Sequence, residues 1–374
     1  MSPIRVGMIG LSARAKTSWA SNAHLPYLQA SNGKYVITAL CNSSVSAAKS
    51  AIEAYNLSAS TKAYGTPEEL ANDPEIDLVV CNTRVDVHYS VIKPSLMKGK
   101  NVYCEWPLAS NLKDAEELNA LAKKNHARTI IGLQGELSPI ILKVKRLIEQ
   151  EDKIGKVLSS SIVACGGIRT RESFAEGLKY FTQKEVGGNM VTIAIGHTTD
   201  FIEFVLGELS SFRSQLSIQH PLVTLTGSNG EVVETVDTNV ADHVMLQGTL
   251  TSGAPLSLVF RRGPPFKGTP GFTWIIHGEK GEIKVTVASA ALQASDDERT
   301  IAVHNFATDE VEVIEWERQF TDLPPPARNV AAMYEAFADG ETGKYPDFEH
   351  AVLRHRQIDE VFKSSEEDRK GVYL

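Results

Sequence analysis

The chain has 374 residues, 42% of them hydrophobic, and its 38 lysines and arginines against 46 aspartates and glutamates give a net charge of −8. This length and composition fit two domains with ordinary cores. The acidic balance, without a run of five basic residues, argues against a direct nucleic-acid surface, because such surfaces cluster lysine and arginine against phosphate.

The N-terminal sequence, the apolar runs and the cysteines indicate the cellular compartment of the protein. A strand that begins at Ile4 leaves no room for a signal peptide, and no apolar run is long enough to span a membrane. Four scattered cysteines without metal-type spacing predict buried thiols in a reducing environment. We therefore expect a soluble cytoplasmic protein without a metal and without membrane contact.

The first 150 residues alternate short apolar runs with helical stretches such as Val45–Tyr55 and Asp86–Lys98. Continuous runs of valine, isoleucine and leucine are typical of strands buried on both faces of a parallel sheet. The pattern predicts an α/β doubly wound Rossmann domain over residues 1–135. Its predicted strands are Ile4–Ile9, Tyr35–Cys41, Leu78–Cys81, Asn101–Cys104 and Thr129–Leu133.

Residues 136–374 follow another pattern, in which β-runs joined by tight turns surround one long helix, Met190–Leu206. This indicates an α+β domain with an open, mostly antiparallel sheet. Two closing helices, Ala327–Ala338 and Phe348–Ser364, are expected to pack back on the first domain, and Asp297–Asp309 and Pro324–Pro326 are predicted surface loops. The predicted strands are Ser159–Ala164, Phe212–Ile218, His243–Thr251, Leu256–Arg262, Thr273–His277 and Glu282–Val287.

The turn after the first strand carries Gly7-x-x-Gly10, which lets the backbone turn tightly and brings amides toward a pyrophosphate. Ser12 stands where a further glycine is usual. Arg14 in the same loop is a candidate phosphate contact, or a solvated charge. This turn is the predicted dinucleotide site.

The second strand ends at Asn42-Ser43-Ser44, where an acidic residue would bind a ribose 2′-hydroxyl and repel a 2′-phosphate. Without that carboxylate, the three side chains offer hydrogen bonds that tolerate phosphate. The pattern favours NADP or use of both NADP and NAD. Ser43 and Ser44 also suit a cap for the next helix.

The fourth strand ends at Cys81-Asn82-Thr83, and His88 follows on the next helix. Ligands in such sheets sit at the carboxyl ends of strands, which makes Thr83 and His88 candidates for cofactor contact. The alternative for His88 is packing at the helix N-terminus.

Five motifs in order resemble the glucose–fructose oxidoreductase/inositol dehydrogenase (Gfo/Idh/MocA) family over nearly the whole chain, nearest to the branch of the fungal galactose-regulon repressor. The resemblance implies a nicotinamide dinucleotide cofactor. The motifs are Gly7-x-x-Gly10, Asn82-Thr83-x-x-x-x-His88, Gly99-Lys100-Asn101-Val102-Tyr103-Cys104-Glu105-Trp106-Pro107, Gly187-Gly188-Asn189 through Asp200, and Ile276-His277-Gly278-Glu279-Lys280-Gly281.

The resemblance also implies a catalytic set that this chain changes. Where the family has a catalytic lysine in Glu-Lys-Pro, this chain has Trp106, and Ile193 stands in the position of a catalytic aspartate. His197 keeps the family's histidine and is the surviving candidate acid/base. Trp106 either packs against the nicotinamide and shapes the site for an apolar substrate, or fills a site that no longer catalyses a reaction.

The resemblance places Glu105 and Gln134 at the cofactor, with the nicotinamide end near Thr83, Trp106 and His197. Tyr180 and Phe181 offer further aromatic surface or ordinary packing.

Two functional classes follow. The favoured one is an oxidoreductase that moves hydride between NAD(P) and a small carbonyl, alcohol or enone. The alternative is a cofactor-bound regulator that contacts a transcription activator, for which a nuclear location also fits. The open sheet of the second domain needs a cover, so the sequence predicts a homodimer through that sheet.

Overall fold

The computed structural model describes residues 2–12, 19–166, 172–291, 299–340 and 342–367. The chain divides into two units, each made of several segments. The first unit comprises residues 1–137, 185–188 and 319–355, and the second comprises residues 138–184, 189–318 and 356–374.

A six-stranded parallel sheet forms the centre of the first unit, in the order β3-β2-β1-β4-β5-β6. The strands at its centre are almost wholly buried, as continuous apolar runs predict, and the doubly wound prediction is confirmed. The strands are β1 (Ile4–Ile9), β2 (Tyr35–Cys41), β3 (Lys62–Tyr64), β4 (Leu78–Cys81), β5 (Asn101–Cys104) and β6 (Thr129–Ile131).

Helices connect these strands, and polar side chains cap two of them. Ser44 accepts a hydrogen bond from the amide of Ala47, and Thr66 exchanges hydrogen bonds with Glu69 in a capping box. A π-helical turn, Ala20–His24, precedes the first helix. The helices are α1 (Leu25–Ala30), α2 (Val45–Ala54), α3 (Pro67–Asn72), α4 (Val85–Met97) and α5 (Leu112–Lys124).

The second unit contains an eight-stranded sheet in the order β17-β16-β15-β14-β7-β13-β12-β9 and a three-stranded sheet in the order β11-β10-β8. Only β7–β13 and β8–β10 pair in parallel, which confirms the mostly antiparallel prediction. The strands are β7 (Val157–Gly166), β8 (Ser173–Ala175), β9 (Leu209–Ser217), β10 (Leu222–Thr226), β11 (Val232–Asp237), β12 (His243–Leu250), β13 (Pro255–Arg262), β14 (Phe272–Gly278), β15 (Gly281–Val287), β16 (Arg299–Asn305) and β17 (Glu310–Ile314).

Helix α6 (Pro139–Glu149) opens the second unit, and short 3₁₀ turns cover Glu176–Thr182 and Lys184–Val186. The long predicted helix is present. It begins as a π-helical segment, Met190–Ile195, and continues as α7 (Gly196–Leu206).

Two helices close the chain. α8 (Pro325–Ala338) packs on the aromatic core of the first unit, where the hydroxyl of Tyr35 donates a 2.6 Å hydrogen bond to the carbonyl of Tyr334. α9 (Phe348–Glu367) contributes residues to both units. None of the helices in the described parts of the chain is long and apolar enough to cross a membrane.

The prediction of a surface loop over Asp297–Asp309 is wrong for most of its length. Residues 297 and 298 lie outside the described residues, but Arg299–Asn305 forms β16 and pairs with β15. Ile301 and Val303 alternate inward and are buried, a pattern that the polar flanks obscured. The proline run is partly helical as well, because α8 begins at Pro325.

Candidate functional site

Four parallel strands of the first unit end at the same edge of the sheet. Backbone hydrogen bonds between neighbouring strands continue into the residues that follow them. The amide of Asn82 donates to the carbonyl of Ile9 at 3.0 Å, and that of Gly132 donates to the carbonyl of Cys104 at 2.8 Å. The residues after β1, β4, β5 and β6 therefore line one carboxyl edge, where ligands of such sheets bind.

Gly10 lies at this edge with a φ of +94°, in the left-handed region that favours glycine. A Cβ on Gly10 would lie 2.9 Å from both the carbonyl oxygen of Asn82 and the Cγ2 of Thr83. A Cβ on Gly7 would lie 2.9 Å from the side-chain Cδ1 of Ile76. Gly10 is thus required by its positive φ and by the close approach of the Asn82 backbone, whereas Gly7 is confined by the side chain of Ile76.

The loop after β1 is tied to the neighbouring strand and helix. The side-chain amide of Asn42 donates to the carbonyl of Leu11 at 2.9 Å, and the hydroxyl of Tyr55 donates to the carbonyl of Ser12 at 3.2 Å. Arg14, the predicted phosphate contact, lies outside the described residues. Asn42 therefore positions the turn, whatever else it binds.

Ser43 and Ser44 are both exposed beyond the end of β2. Ser44 is the N-cap of α2, with Oγ 3.1 Å from the amide nitrogen of Ala47. Its capping role leaves the second lone pair of the hydroxyl free for another donor. No carboxylate stands at positions 42–44.

Two amide side chains at the edge carry buried polar atoms without a partner among the described residues. They are Asn82, at both Oδ1 and Nδ2, and Gln134, at Oε1. Buried polar groups are almost always hydrogen-bonded in proteins, so these atoms are candidates for contact with a polar ligand. The sequence analysis singled out Gln134 but not Asn82, although its place directly after a buried strand was the available signal.

His88 is buried and joins the ends of β4 and β5. Its Nε2 lies 2.9 Å from the carbonyl oxygen of Thr83, and its Nδ1 lies 2.9 Å from that of Pro107 and 3.4 Å from the sulfur of Cys104. With Cys81, these side chains offer three ligand atoms within 4.8 Å of one another. Because both ring nitrogens already face carbonyl oxygens, the group is a hydrogen-bonded junction.

The two thiols of this junction are electrostatically unlike. Burial raises the pKa of Cys81, but a hydrogen bond with Cys104, the His88 charge and hydrogen bonds from Thr83 outweigh burial and lower it below the ordinary thiol value. Burial raises the pKa of Cys104.

Glu105 has a protein partner: its Oε1 accepts a 2.8 Å hydrogen bond from the Nε2 of buried His24. The other ring nitrogen of His24 lies 2.8 Å from the hydroxyl of Tyr334 on α8. A Cβ on Gly132 would approach the Glu105 carboxylate to 2.6 Å, so glycine at this position leaves room for that side chain.

Trp106 is only 6% exposed, and the peptide bond that joins it to Pro107 is cis. Its indole lies 4.8 Å from the imidazole of His355, centroid to centroid, at 50°. Burial, with a smaller contribution from the His88 charge, lowers the pKa of His355 to about 3, so this ring packs in its neutral form. Trp106 therefore offers an aromatic surface but no group that can act as an acid or a base.

His197 belongs to the second unit and lies in the first turn of α7, 8% exposed. Ile193, four residues earlier, lines a cavity of the second unit together with Met190 and Ala194. The side chain at the position where the resemblance expects an aspartate thus faces apolar neighbours. Of the three positions in the implied catalytic set, which are 106, 193 and 197, His197 is the one with an ionisable side chain.

The residues of the first unit fit a dinucleotide. Gly10 turns the chain at a positive φ beside the end of β4, and Asn82 and Gln134 present buried amide atoms that need polar partners. Gly10, Asn82, Thr83 and Gln134 are the residues that would hold it. These observations concern the first unit alone.

Two sequence profiles match the chain. The family described as "Oxidoreductase family, NAD-binding Rossmann fold" matches residues 4–133, and the one described as "Gal80p, C-terminal domain" matches residues 139–287.

Curated relatives include an enzyme and a regulator. The chain is 30% identical to dehydrogenase aclE of Aspergillus oryzae over 97% of its own length and 96% of the relative's. It is 34% identical to the galactose/lactose metabolism regulatory protein GAL80 of Saccharomyces cerevisiae, over 76% of this chain and 67% of that one. A crystal structure of a super-repressor mutant of Gal80p from the same yeast matches with a TM-score of 0.87 and 28% identity, covering 97% and 96% of the two chains.

Proposed function

The chain belongs to the Gfo/Idh/MocA family of NAD-binding oxidoreductases, beside its Gal80 branch, and on this basis we propose that it is an NAD(P)-dependent oxidoreductase acting on a small carbonyl, alcohol or enone. The observation that carries the proposal lies at the carboxyl edge of the parallel sheet. A positive-φ Gly10 and the unpartnered amide atoms of Asn82 and Gln134 lie there, which supports dinucleotide binding although two groups of the implied catalytic set are replaced.

NADP is accepted at least as well as NAD in this proposal. The end of β2 carries Asn42, Ser43 and Ser44, none of which repels a 2′-phosphate. The exposed hydroxyls of Ser43 and Ser44 are suited to donate to it. Calorimetric titration of NADPH and NADH measures this directly, and an affinity for NADH more than about tenfold greater, about 1.4 kcal/mol, contradicts it.

The proton chemistry of the proposed reaction depends on His197. Indole has no basic nitrogen and isoleucine no titratable group, so Trp106 and Ile193 cannot exchange a proton with substrate. When bound, the nicotinamide would accept or supply hydride. His197 would hold or release the proton of the substrate oxygen, since an imidazole nitrogen can both accept and donate a proton.

Turnover tests the enzymatic proposal. The purified protein is screened for oxidation of NADPH and NADH with aldehydes, ketones and enones, and for the reverse reaction with alcohols. On any substrate found, His197→Ala is expected to lower kcat by about 10²–10⁴-fold, the usual effect of a positioned acid or base, with dinucleotide affinity retained. Full activity in that variant would assign the histidine to packing and the proton to water or substrate.

A second candidate function is regulation by protein contact. The observation in its favour is the match of residues 139–287 to the Gal80p C-terminal domain, together with the replacements at Trp106 and Ile193. In this alternative the dinucleotide is a structural or sensing ligand. Absence of turnover, combined with dinucleotide-dependent binding of a transcription activator by the purified protein, would favour it.

A further inference from the structure

Two cysteines lie side by side at the carboxyl ends of neighbouring strands in the first unit. Cys81 ends β4 and Cys104 ends β5, and the two residues are register partners in the parallel ladder. Neighbouring strands lie about 4.7–4.9 Å apart, and disulfides join residues whose Cα atoms are about 4.4–6.8 Å apart. The backbone therefore holds these two cysteines at a separation that a disulfide can bridge.

The two thiols are in contact with each other. Both residues are 0% exposed, and their side chains share a hydrogen bond. With Nδ1 of His88, the two sulfur atoms form a group whose members all lie within 4.8 Å of one another. A sulfenic acid formed on one thiol would therefore have the other thiol beside it, which is the arrangement in which a disulfide forms.

The remaining two cysteines of the chain are placed differently. Cys41 ends β2, which β1 separates from β4, and Cys165 lies on β7 in the second unit. Burial raises the pKa of Cys41 to about 12, so this thiol stays protonated at neutral pH. Cys165 is partly exposed. These two residues are therefore internal controls for the effects of burial and of exposure.

His88 places a positive charge beside the thiol pair. Its Nδ1 lies 2.9 Å from the carbonyl oxygen of Pro107, and its Nε2 lies 2.9 Å from that of Thr83. A carbonyl oxygen only accepts hydrogen bonds, so both contacts are hydrogen bonds only when both ring nitrogens carry hydrogen, which is the cationic form. The same Nδ1 lies 3.4 Å from the sulfur of Cys104. A cation at this position stabilises a thiolate, the nucleophilic form of cysteine.

The electrostatics of the pair agree with this geometry. Burial opposes ionisation of Cys81, but the hydrogen bond with Cys104 and the His88 charge outweigh burial, so its pKa is lowered. Burial and the neighbouring sulfur raise the pKa of Cys104. Because the two titrations are coupled, they belong to the pair. The pair is therefore suited to hold one thiolate and one thiol, the two groups that disulfide formation needs.

Thr83 connects the pair with the carboxyl edge of the sheet. Sγ of Cys81 lies 3.4 Å from Oγ1 of Thr83, and Thr83 is partly exposed. Because both sulfur atoms are themselves buried, the site favours an oxidant as small as hydrogen peroxide over a bulky thiol reagent.

We propose that Cys81 and Cys104 form a redox site that hydrogen peroxide oxidises to a disulfide between β4 and β5, with His88 stabilising the reactive thiolate. In the first step the thiolate attacks one peroxide oxygen, the O–O bond breaks, and the leaving hydroxide takes up a proton to give water. The sulfenic acid then reacts with the second thiol, so the S–S bond forms as the S–O bond breaks and a second water leaves. Two thiols thus lose two hydrogens and two electrons, and one peroxide gives two waters.

This site goes beyond the proposed function, because thiol oxidation requires neither a dinucleotide nor hydride transfer. Its place in the fold is nevertheless close to the predicted cofactor contacts. Glu105 follows Cys104 directly, and Thr83 follows two residues after Cys81. A disulfide would fasten together the two strand ends from which these contacts extend.

The test oxidises the reduced full-length protein with hydrogen peroxide, in the presence of a metal chelator and without a dinucleotide. Two of the four thiols should disappear, the intact mass should fall by two hydrogen atoms, and dithiothreitol should restore both thiols. Peptide mapping of the unreduced protein should locate the disulfide between Cys81 and Cys104. Retention of all four thiols, or oxidation of Cys165 before the pair, would overturn the proposal. This measurement needs no variant, so it holds even where a substitution impairs folding.

Substitutions test each member of the site. Cys81→Ser and Cys104→Ser should form no disulfide, whereas Cys41→Ser and Cys165→Ser should be oxidised at the wild-type rate. A disulfide in either of the first two variants would refute the assignment.

His88→Gln tests the role of the charge. Glutamine keeps hydrogen-bonding groups but carries no charge, so oxidation should slow by at least about tenfold. The wild-type rate in this variant would refute stabilisation of the thiolate by His88.

Discussion

At the scale of single residues, Trp106 stands where the resemblance expects a lysine, and an indole cannot exchange a proton as an amine does. The indole is buried against the neutral ring of His355, and neither group carries charge into the site. The neighbouring Glu105 is held by His24. The side chains described around the end of β5 therefore offer aromatic packing, and the proposed mechanism assigns proton transfer to His197.

Gly10 gives a residue-scale prediction for the cofactor. Gly10→Ala places a methyl group 2.9 Å from the carbonyl of Asn82 at a positive φ, so the turn must shift. We expect the stabilisation of the protein by NADPH, measured as a shift in Tm, to disappear. Gly33→Ala is the matched control, since Gly33 also has a positive φ but nothing lies within 4 Å of its Cβ position. Unchanged stabilisation in Gly10→Ala would exclude this turn as the dinucleotide site.

His355 gives a prediction on pH. Its pKa is about 3 in the folded state against 6.5 for an imidazole exposed to water, so between these values the unfolded chain binds a proton that the folded protein does not. Its contribution to stability is therefore complete above about pH 6.5 and is lost as the pH falls toward 3, by about 1.4 kcal/mol for each pH unit. Denaturant unfolding of wild type and His355→Phe is measured across this pH range. The free energy of unfolding should fall less steeply with decreasing pH in the variant. Parallel curves would mean that the ring is not buried as described.

At the scale of elements, helix starts determine much of the local geometry. Ser44 opens α2, Thr66 opens α3 and Asn189 opens the π-helical segment before α7, each by accepting a backbone hydrogen bond. Two of the three caps follow strands of the parallel sheet, so the same side chains that begin a helix also lie at the edge where ligands bind.

Ser44 allows capping and coenzyme choice to be separated. Ser44→Ala should cost about 1 kcal/mol of unfolding free energy, because the amide of Ala47 loses its acceptor. Ser44→Asp keeps the cap but adds a negative charge, and should lower NADPH affinity about tenfold relative to NADH. Thr66→Ala, which removes the cap of α3, should leave the coenzyme ratio unchanged. A constant ratio in Ser44→Asp would place the 2′-phosphate away from α2.

At the scale of the whole molecule, one face of the eight-stranded sheet is left partly open. The inward face carries Leu256, Leu258 and Phe260 of β13, all buried. On the other face, register places four residues of adjacent strands in one row: Met245, Val259, Val163 and Thr273. Val163 is 53% exposed. Such a row suits contact with a second copy of the chain.

We predict a homodimer through this row. Val163→Arg should weaken it by at least about 100-fold, since an unpaired charge would be buried at the contact. Sedimentation or light scattering over a concentration series measures the change. Val232→Arg, at an exposed valine of the three-stranded sheet, is the control and should remain dimeric. A monomeric wild type at high concentration would refute the interface.

The local pattern of the sequence determined five of the six described strands of the first unit's sheet, because continuous β-branched runs have few alternatives once they are buried on both faces. It also determined the positions of Gly7 and Gly10, where the backbone approaches its neighbours closely. Short length or polar flanks weaken periodicity in the elements that it missed, which are α1, β3, α5, α6, β8, β10, β11, β16 and β17. These elements take their form from the strands and helices that they pack against.

Only tertiary structure decided which polar atoms lack partners. Asn82 and Gln134 carry ordinary amide side chains, and their significance depends on which partners other segments bring near them. The histidine beside the sulfur of Cys104 comes from 16 positions away, and the partner of Glu105 comes from 81 positions away. The preference for a helix or a strand depends on a few neighbouring residues. Whether a buried polar atom finds a hydrogen-bond partner depends on residues that are far apart in the sequence. The candidate ligand sites therefore became apparent only when the chain was folded.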